Sequence, residues 1–292
     1  MVQVKNYLSL IKFSHTIFAM PFALIGFFLA VKTGIVENNG YQEIIFIKFS
    51  LVILCMIFAR SAAMAFNRYL DRKIDANNPR TVTREIPAGI ISENNALLFT
   101  IVNCILFIAC TYFINQLCFY LSPVALFIIL FYSYTKRFTS LCHLVLGIGL
   151  SLAPIGAYLA VTGKFSLLPL LFSFAVLFWV SGFDIIYALQ DENFDRDNKL
   201  HSIPAAVGLN KALRISELLH FFSAVCVLIA GWYENFGILY WLGVCVFTGM
   251  LVYQHSIVKA NNISKVNIAF MTANGIASVV FAAFVLLDLF LN

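Results

Sequence analysis

Nine apolar stretches run along the chain, at about 15–33, 44–66, 96–114, 117–135, 141–162, 167–189, 213–231, 236–258 and 266–291. A bilayer core about 30 Å thick is crossed by a helix of roughly 20 apolar residues. The pattern therefore predicts an all-α, multi-pass membrane bundle of nine transmembrane helices. The breaks between stretches carry turn chemistry: Asn38-Asn39-Gly40, Asn77-Asn78-Pro79, Gly163-Lys164 and Asn261-Asn262. Only the intervals 67–95 and 190–212 are long enough to hold structure of their own.

Composition agrees with this reading. Of 292 residues, 61% are apolar and 11% charged, and the mean hydropathy is +0.90, whereas a soluble domain carries roughly a quarter charged residues. The N-terminal segment MVQVKNYLSLIKFSHT lacks the apolar core and small-residue cleavage site of a removable signal peptide. Cytoplasmic loops are enriched in Lys and Arg. With the N-terminus placed inside, 15 basic residues fall on the inner side and three, Lys32, Lys48 and Lys164, on the outer, with Arg60 within the second stretch. The expected topology is N-terminus cytoplasmic, C-terminus outside. This bias also accounts for the net charge of +5, so no nucleic-acid partner is implied. The seven cysteines lie in apolar runs without a C-x-x-C pair and read as packing residues. Asn262-Ile263-Ser264 has the form of a glycosylation acceptor, but on the inner side that form is a coincidence.

The scarce acids are concentrated. Seven of the 14 lie in two windows, Asn67 to Asp75 and Asp184 to Asp197. Asn67, Asp71 and Asp75 are spaced i, i+4, i+8, and Tyr187, Asp191 and Asp195 repeat that spacing. Residues four apart share one face of a helix, so each window presents two stacked carboxylates at the inner end of a stretch. Like charges so placed destabilise a helix and cost more near a membrane interior. Something cationic should compensate. Magnesium is held by one or two carboxylates together with substrate phosphates and waters, and two such columns suit two ions and a diphosphate. A solvated helix end paired with Arg68, Arg72, Lys73 and Arg196 would explain either window alone, but not the repeat of the spacing.

At this point the sequence resembles the UbiA family of intramembrane aromatic prenyltransferases. The family's N-x-x-x-D-x-x-x-D pattern matches Asn67, Asp71 and Asp75, and its Y-x-x-x-D-x-x-x-D pattern matches Tyr187, Asp191 and Asp195. The segments from Asp75 to Thr81, from Arg84 to Gly89 and from Tyr134 to Arg137 resemble the 4-hydroxybenzoate polyprenyltransferase branch. The family count is also nine helices, so residues 1–292 read as one membrane-embedded prenyltransferase domain. The resemblance implies Mg2+-dependent transfer of a polyprenyl chain from polyprenyl diphosphate to an aromatic acid, on the cytoplasmic face of a bacterial inner membrane. It implies metal binding by Asp71, Asp75, Asp191 and Asp195, with Asn67 as a further ligand or phosphate contact.

Metal ions and fixed cations stabilise the charge that develops on a departing diphosphate. Arg72, Lys136 and Arg137 are the candidates for direct phosphate contact, against a plain role for Lys136 and Arg137 as positive-inside anchors. Arg80 and Arg84 lie in a loop that forms either a lid or an ordinary surface turn. Asp184 shares a face with Tyr187 and Asp191. It could position the acceptor's hydroxyl, help remove the ring proton, or bond a neighbouring helix. His15 matches a family segment linked with the acceptor, although a plain helix-end histidine also fits it and His201. His143, His220 and His255 have no metal-ligand spacing.

Competing classes fit less well. A secondary transporter would carry its acids near the midplane, and a CDP-alcohol phosphotransferase would show a tighter D-x-x-D-G. Within the family, the run Leu189 to Arg196 followed by His201 to Pro204 resembles a branch of the futalosine-linked menaquinone pathway, with a naphthoate-type acceptor. No motif reports prenyl length or oligomeric state.

Overall fold

The structure, a computed structural model, describes residues 2–12, 18–35 and 42–292. His15 lies outside the described residues. The helices are α1 (Val2–Leu10), α2 (Met20–Ile35), α3 (Gln42–Asn77), α4 (Glu93–Ile114), α5 (Gln116–Thr135), α6 (Cys142–Thr162), α7 (Leu167–Ala188), α8 (Glu192–Asp197), α9 (Ile203–Val207), α10 (Leu209–Glu234), α11 (Ile238–Ile257) and α12 (Asn274–Leu291). A 3-10 turn (Leu189–Asp191) joins α7 to α8, and a π-turn (Ile268–Ala273) leads into α12. Among the described residues, eight helical spans are long and apolar enough to cross a membrane, and the apolar helix Met20–Thr33 is shorter. Each expected stretch thus corresponds to a helix, and the chain is an integral membrane protein.

The boundaries depart from the hydropathy pattern at the two acidic windows. Helix α3 does not stop where the apolar run ends. It continues through Asn67, Asp71 and Asp75 to Asn77, because falling hydropathy marks the end of the bilayer and not of helix-compatible sequence. The helix ends just ahead of Pro79, whose ring disfavours helical backbone in the preceding residue. In the second window the backbone tightens at Leu189–Asp191, so Asp191 and Asp195 follow Tyr187 across a 3-10 turn and not along one uninterrupted α-helix.

The chain forms two compact units, one of residues 1–16 and 47–134 and the other of 17–46 and 135–292. In the first, Leu10, Ala65, Ile86, Ile91 and Ala96 make a buried cluster that joins α1, α3, α4 and the 78–92 segment. The Tyr7 and Phe99 rings pack at 4.8 Å, and the Ser9 hydroxyl donates to the buried carboxylate of Glu85.

In the second unit, α7 lies against α6 and α10. Bilayer lipid gives helices no hydrophobic reason to associate, so close backbone approach and interhelical hydrogen bonds carry the packing. Both are present. A Cβ on Gly26 would lie 2.0 Å from the Pro154 carbonyl oxygen, and one on Gly147 2.5 Å from that of Leu177. Ser216 donates to the Gly182 carbonyl at 2.7 Å and Ser223 to the Ala175 carbonyl at 2.8 Å.

Asp288 shows what a buried acid can do without chemistry. It is 1% exposed in α12 and accepts the Gly237 N–H at 2.8 Å and the Tyr240 N–H at 3.2 Å. The carboxylate caps the N-terminus of α11, where orphan amides and the positive end of the helix dipole favour an anion. Asp288→Ala is expected to destabilise the protein by about 1–2 kcal/mol and to lower its midpoint in thermal unfolding in detergent. An unchanged midpoint would refute the capping role.

Candidate active site

The first window occupies the last three turns of α3. The Asn67 amide donates to Asp71 Oδ2 at 3.2 Å, so the i, i+4 column is realised as a contact. Asp75 lies at the C-terminal end of the helix, where the dipole is negative and a carboxylate is unfavourable. Cations compensate: Arg84 Nη1 binds Asp75 Oδ1 at 2.7 Å, and Arg68 Nη1 lies 4.0 Å from Oδ2. Thr81 donates to the Asp75 carbonyl at 3.0 Å, which draws the 78–92 segment over the helix end. Arg84 therefore serves the Asp75 carboxylate. Arg72 pairs with Glu93 through Nε at 2.7 Å, donates to the Tyr69 carbonyl at 2.8 Å and lies 4.5 Å above the Tyr69 ring.

The second window lies wholly within the other unit. Asp191 is buried and Asp195 is 0% exposed. Lys136, in the turn between α5 and α6, meets Asp195 Oδ1 at 2.6 Å, which brings together two residues singled out from the sequence. Arg137 is half-buried in the same turn. The 201–203 segment docks beside it: the His201 N–H donates to the Lys136 carbonyl at 2.7 Å, and the Cys142 thiol to the His201 carbonyl at 3.4 Å. His201 thus contributes its backbone, while its side chain is exposed.

Two residues that no sequence pattern singled out complete this side. His143 Nδ1 lies 2.7 Å from Asp184 Oδ2, so Asp184 is bonded to the neighbouring helix α6. The Tyr187 ring stacks on Phe270 with centroids 4.2 Å apart and an interplanar angle of 30°. Phe270 belongs to the π-turn and also meets Phe183 at 5.5 Å and Phe18 at 5.3 Å. Such π-turns frequently accompany functional sites, but the sequence IAFMTA reads as an ordinary apolar run.

Each window by itself offers carboxylate oxygens, the donors that hard divalent cations take. Asp75 Oδ2 and Asp195 Oδ2 are buried and take no hydrogen bond, an arrangement costly unless a positive partner compensates. Among the described residues no three His, Cys, Asp or Glu side chains converge to hold a metal by themselves. Magnesium does not require three, because substrate phosphates and waters complete its octahedron.

The model of the UbiA prenyltransferase family matches residues 19–285. A 4-hydroxybenzoate octaprenyltransferase of Tolumonas auensis is 31% identical over 241 residues, covering 82% of this chain and 84% of that protein. One from Francisella tularensis subsp. novicida is 27% identical over 279 residues, covering 96% of each. Among solved structures, a UbiA homologue from Aeropyrum pernix K1 superposes with a TM-score of 0.82 at 27% identity, covering 94% of this chain and 98% of that one. A homologue from Archaeoglobus fulgidus, bound to GPP and Mg2+, has the same fold, with a TM-score of 0.70 at 20% identity, covering 97% of this chain and 99% of that one. With both acidic patterns present and the family match running from Ala19 to Val285, the chain belongs to the UbiA prenyltransferase family.

Proposed function

We propose that the chain transfers a polyprenyl group from polyprenyl diphosphate to a 4-hydroxybenzoate-type aromatic acid in ubiquinone biosynthesis, assisted by Mg2+ at the cytoplasmic face of a bacterial inner membrane. The observation that carries this reading is the pair of acidic windows, each with one buried aspartate whose Oδ2 takes no hydrogen bond. Two bacterial relatives that match 82% and 96% of the chain are named 4-hydroxybenzoate octaprenyltransferases, which supports the acceptor class. The excess of basic residues on one side of the helices supports the orientation.

In this reading Asp71 and Asp75 hold one ion and Asp191 and Asp195 another. Bound Mg2+ supplies neutralisation of the charge that builds on the departing diphosphate. Lys136, Arg137 and Arg72 bind phosphate oxygens, and Asn67 adds a polar contact. Breaking the allylic C–O bond leaves an electron-poor carbon that water would capture. The chain's own contribution is to keep that carbon dry and facing the ring to be alkylated. Tyr187, stacked on Phe270, supplies an aromatic face, and rings of this kind attract a nearby cation by roughly 0.5–2 kcal/mol. Asp184 accepts a hydrogen bond from the acceptor's hydroxyl and sets its orientation.

The test is direct. Purified protein is incubated with a polyprenyl diphosphate and a panel of hydroxybenzoic and naphthoic acids, with Mg2+ or with EDTA, and the products are weighed by mass spectrometry. Prenylated 4-hydroxybenzoate is expected with Mg2+ and none with EDTA. A prenylated naphthoate alone would replace the acceptor, and absence of any prenylated product would overturn the reading.

A further inference from the structure

Asp184 is an acid within the membrane-spanning part of α7, and its side chain is 17% exposed. Its partner among the described residues is His143, at 2.7 Å from Oδ2. That leaves Oδ1 without a donor among the described residues. The histidine ring is 4% exposed and held at both ends, since its Nε2 receives the Ile203 backbone N–H at 3.3 Å. A backbone amide only donates, so Nε2 carries a lone pair. The ring proton is then on Nδ1, which donates to Asp184. The imidazole cannot flip without losing both bonds.

The frame behind the ring is continuous. Ile203 opens α9, where Ser202 caps the helix by accepting the Ala205 N–H at 3.3 Å. The adjoining His201 is fastened to the Lys136 carbonyl and to the Cys142 thiol. Lys136 in turn holds Asp195 at 2.6 Å. One network of contacts thus runs from the Lys136–Asp195 pair through the 201–203 segment and His143 to Asp184.

We infer that His143 is a positioning residue for the aromatic acceptor: it fixes Asp184 through Oδ2 and presents Oδ1 to a hydroxyl of the substrate. This rests on the proposed prenyl transfer. It assigns His143 no contact with substrate, only control of the carboxylate that makes one. Glutamine is the conservative replacement, because its amide N–H can donate to Asp184 while its carbonyl accepts from Ile203. Leucine fills a similar volume and does neither.

The experiment measures steady-state kinetics separately for donor and acceptor in wild type, H143L, H143N, H143Q, D184N and the double variant D184N/H143L. H143L and H143N are expected to raise the Michaelis constant for the aromatic acceptor about tenfold, the scale of one hydrogen bond to a charged group. The constant for polyprenyl diphosphate should stay within about twofold. H143Q should recover most of the acceptor affinity, and the double variant should be no worse than D184N, since both act through one carboxylate. Equal losses for donor and acceptor in H143L and H143N, a fully additive double variant, or an H143Q as impaired as H143L would each overturn the inference. If H143L does not fold, H143N and H143Q carry the same comparison. A wild type that prenylates no acceptor would overturn the function reading and this one with it, whereas an active wild type with unaffected H143L and H143N sinks this one alone.

Discussion

Asp71→Ala and Asp191→Ala are each expected to lower prenyl transfer by about three orders of magnitude or more, the scale on which preorganised charge stabilisation contributes to catalysis. The protein should stay folded in detergent. These two positions take one carboxylate from each acidic window. At Asp75 and Asp195 the carboxylates pair with Arg84 at 2.7 Å and Lys136 at 2.6 Å, so removing either one breaks a known ion pair as well. Asp71 is half-buried and receives Asn67 from its own helix. Asp191 ends a 3-10 turn. Size-exclusion profile and thermal midpoint report the fold, and the Mg2+ dependence of turnover reports the site. Retention of wild-type Mg2+ dependence and turnover in both variants would remove the two-metal assignment.

The parts of the candidate site that are legible in the sequence are those built within a single helix. A spacing of four places two carboxylates on one face, so the column from Asn67 through Asp71 to Asp75 is written locally, and the Asn67–Asp71 bond follows from it. Hydropathy likewise located the membrane helices among the described residues, because the bilayer imposes a length on the apolar run. Contacts between elements follow a different logic. His143 and Asp184 are 41 residues apart, Asp288 caps a helix start 51 residues earlier, and Lys136 reaches Asp195 across two helices. No spacing rule predicts such pairs, because the packing of helices creates them. The sequence read Asp184 as an intramembrane acid with three possible roles, and left Asp288 without comment. Structure separates the two: one carboxylate is consumed by a helix cap, and the other has, among the described residues, a partner on one oxygen alone. The tightening at Leu189–Asp191 had no signal either, since neither Gly nor Pro marks it.

The π-turn is the feature least visible in sequence and the one whose loss should affect both stability and chemistry. Its wider turn leaves backbone carbonyls poorly served, and Asn274, 0% exposed, bonds two of them: its amide donates to the Phe270 carbonyl at 3.0 Å and to the Ala269 carbonyl at 3.2 Å. The same side chain accepts from Trp179 Nε1 and Gln254 Nε2, both at 2.8 Å. One asparagine therefore joins α7, α11 and the π-turn, and it holds Phe270 where it stacks on Tyr187. Hydrogen bonds between membrane helices average about 0.6 kcal/mol, while buried groups left without a partner cost about 1–3 kcal/mol each. Asn274→Leu, similar in volume but unable to make any of the four bonds, is expected to cost about 2–4 kcal/mol. A π-turn relaxed to α geometry loses one residue from its loop, which rotates the preceding side chains by about 100°. Phe270 would then leave the face of Tyr187. The expected result is a lower thermal midpoint together with a turnover loss greater than that of Asp288→Ala, which is remote from the stacked pair in sequence and caps a different helix end. If Asn274→Leu unfolds at the wild-type temperature, the asparagine does not hold the turn. If it is destabilised while turnover per folded molecule is unchanged, the stacking of Phe270 on Tyr187 has no part in the transfer.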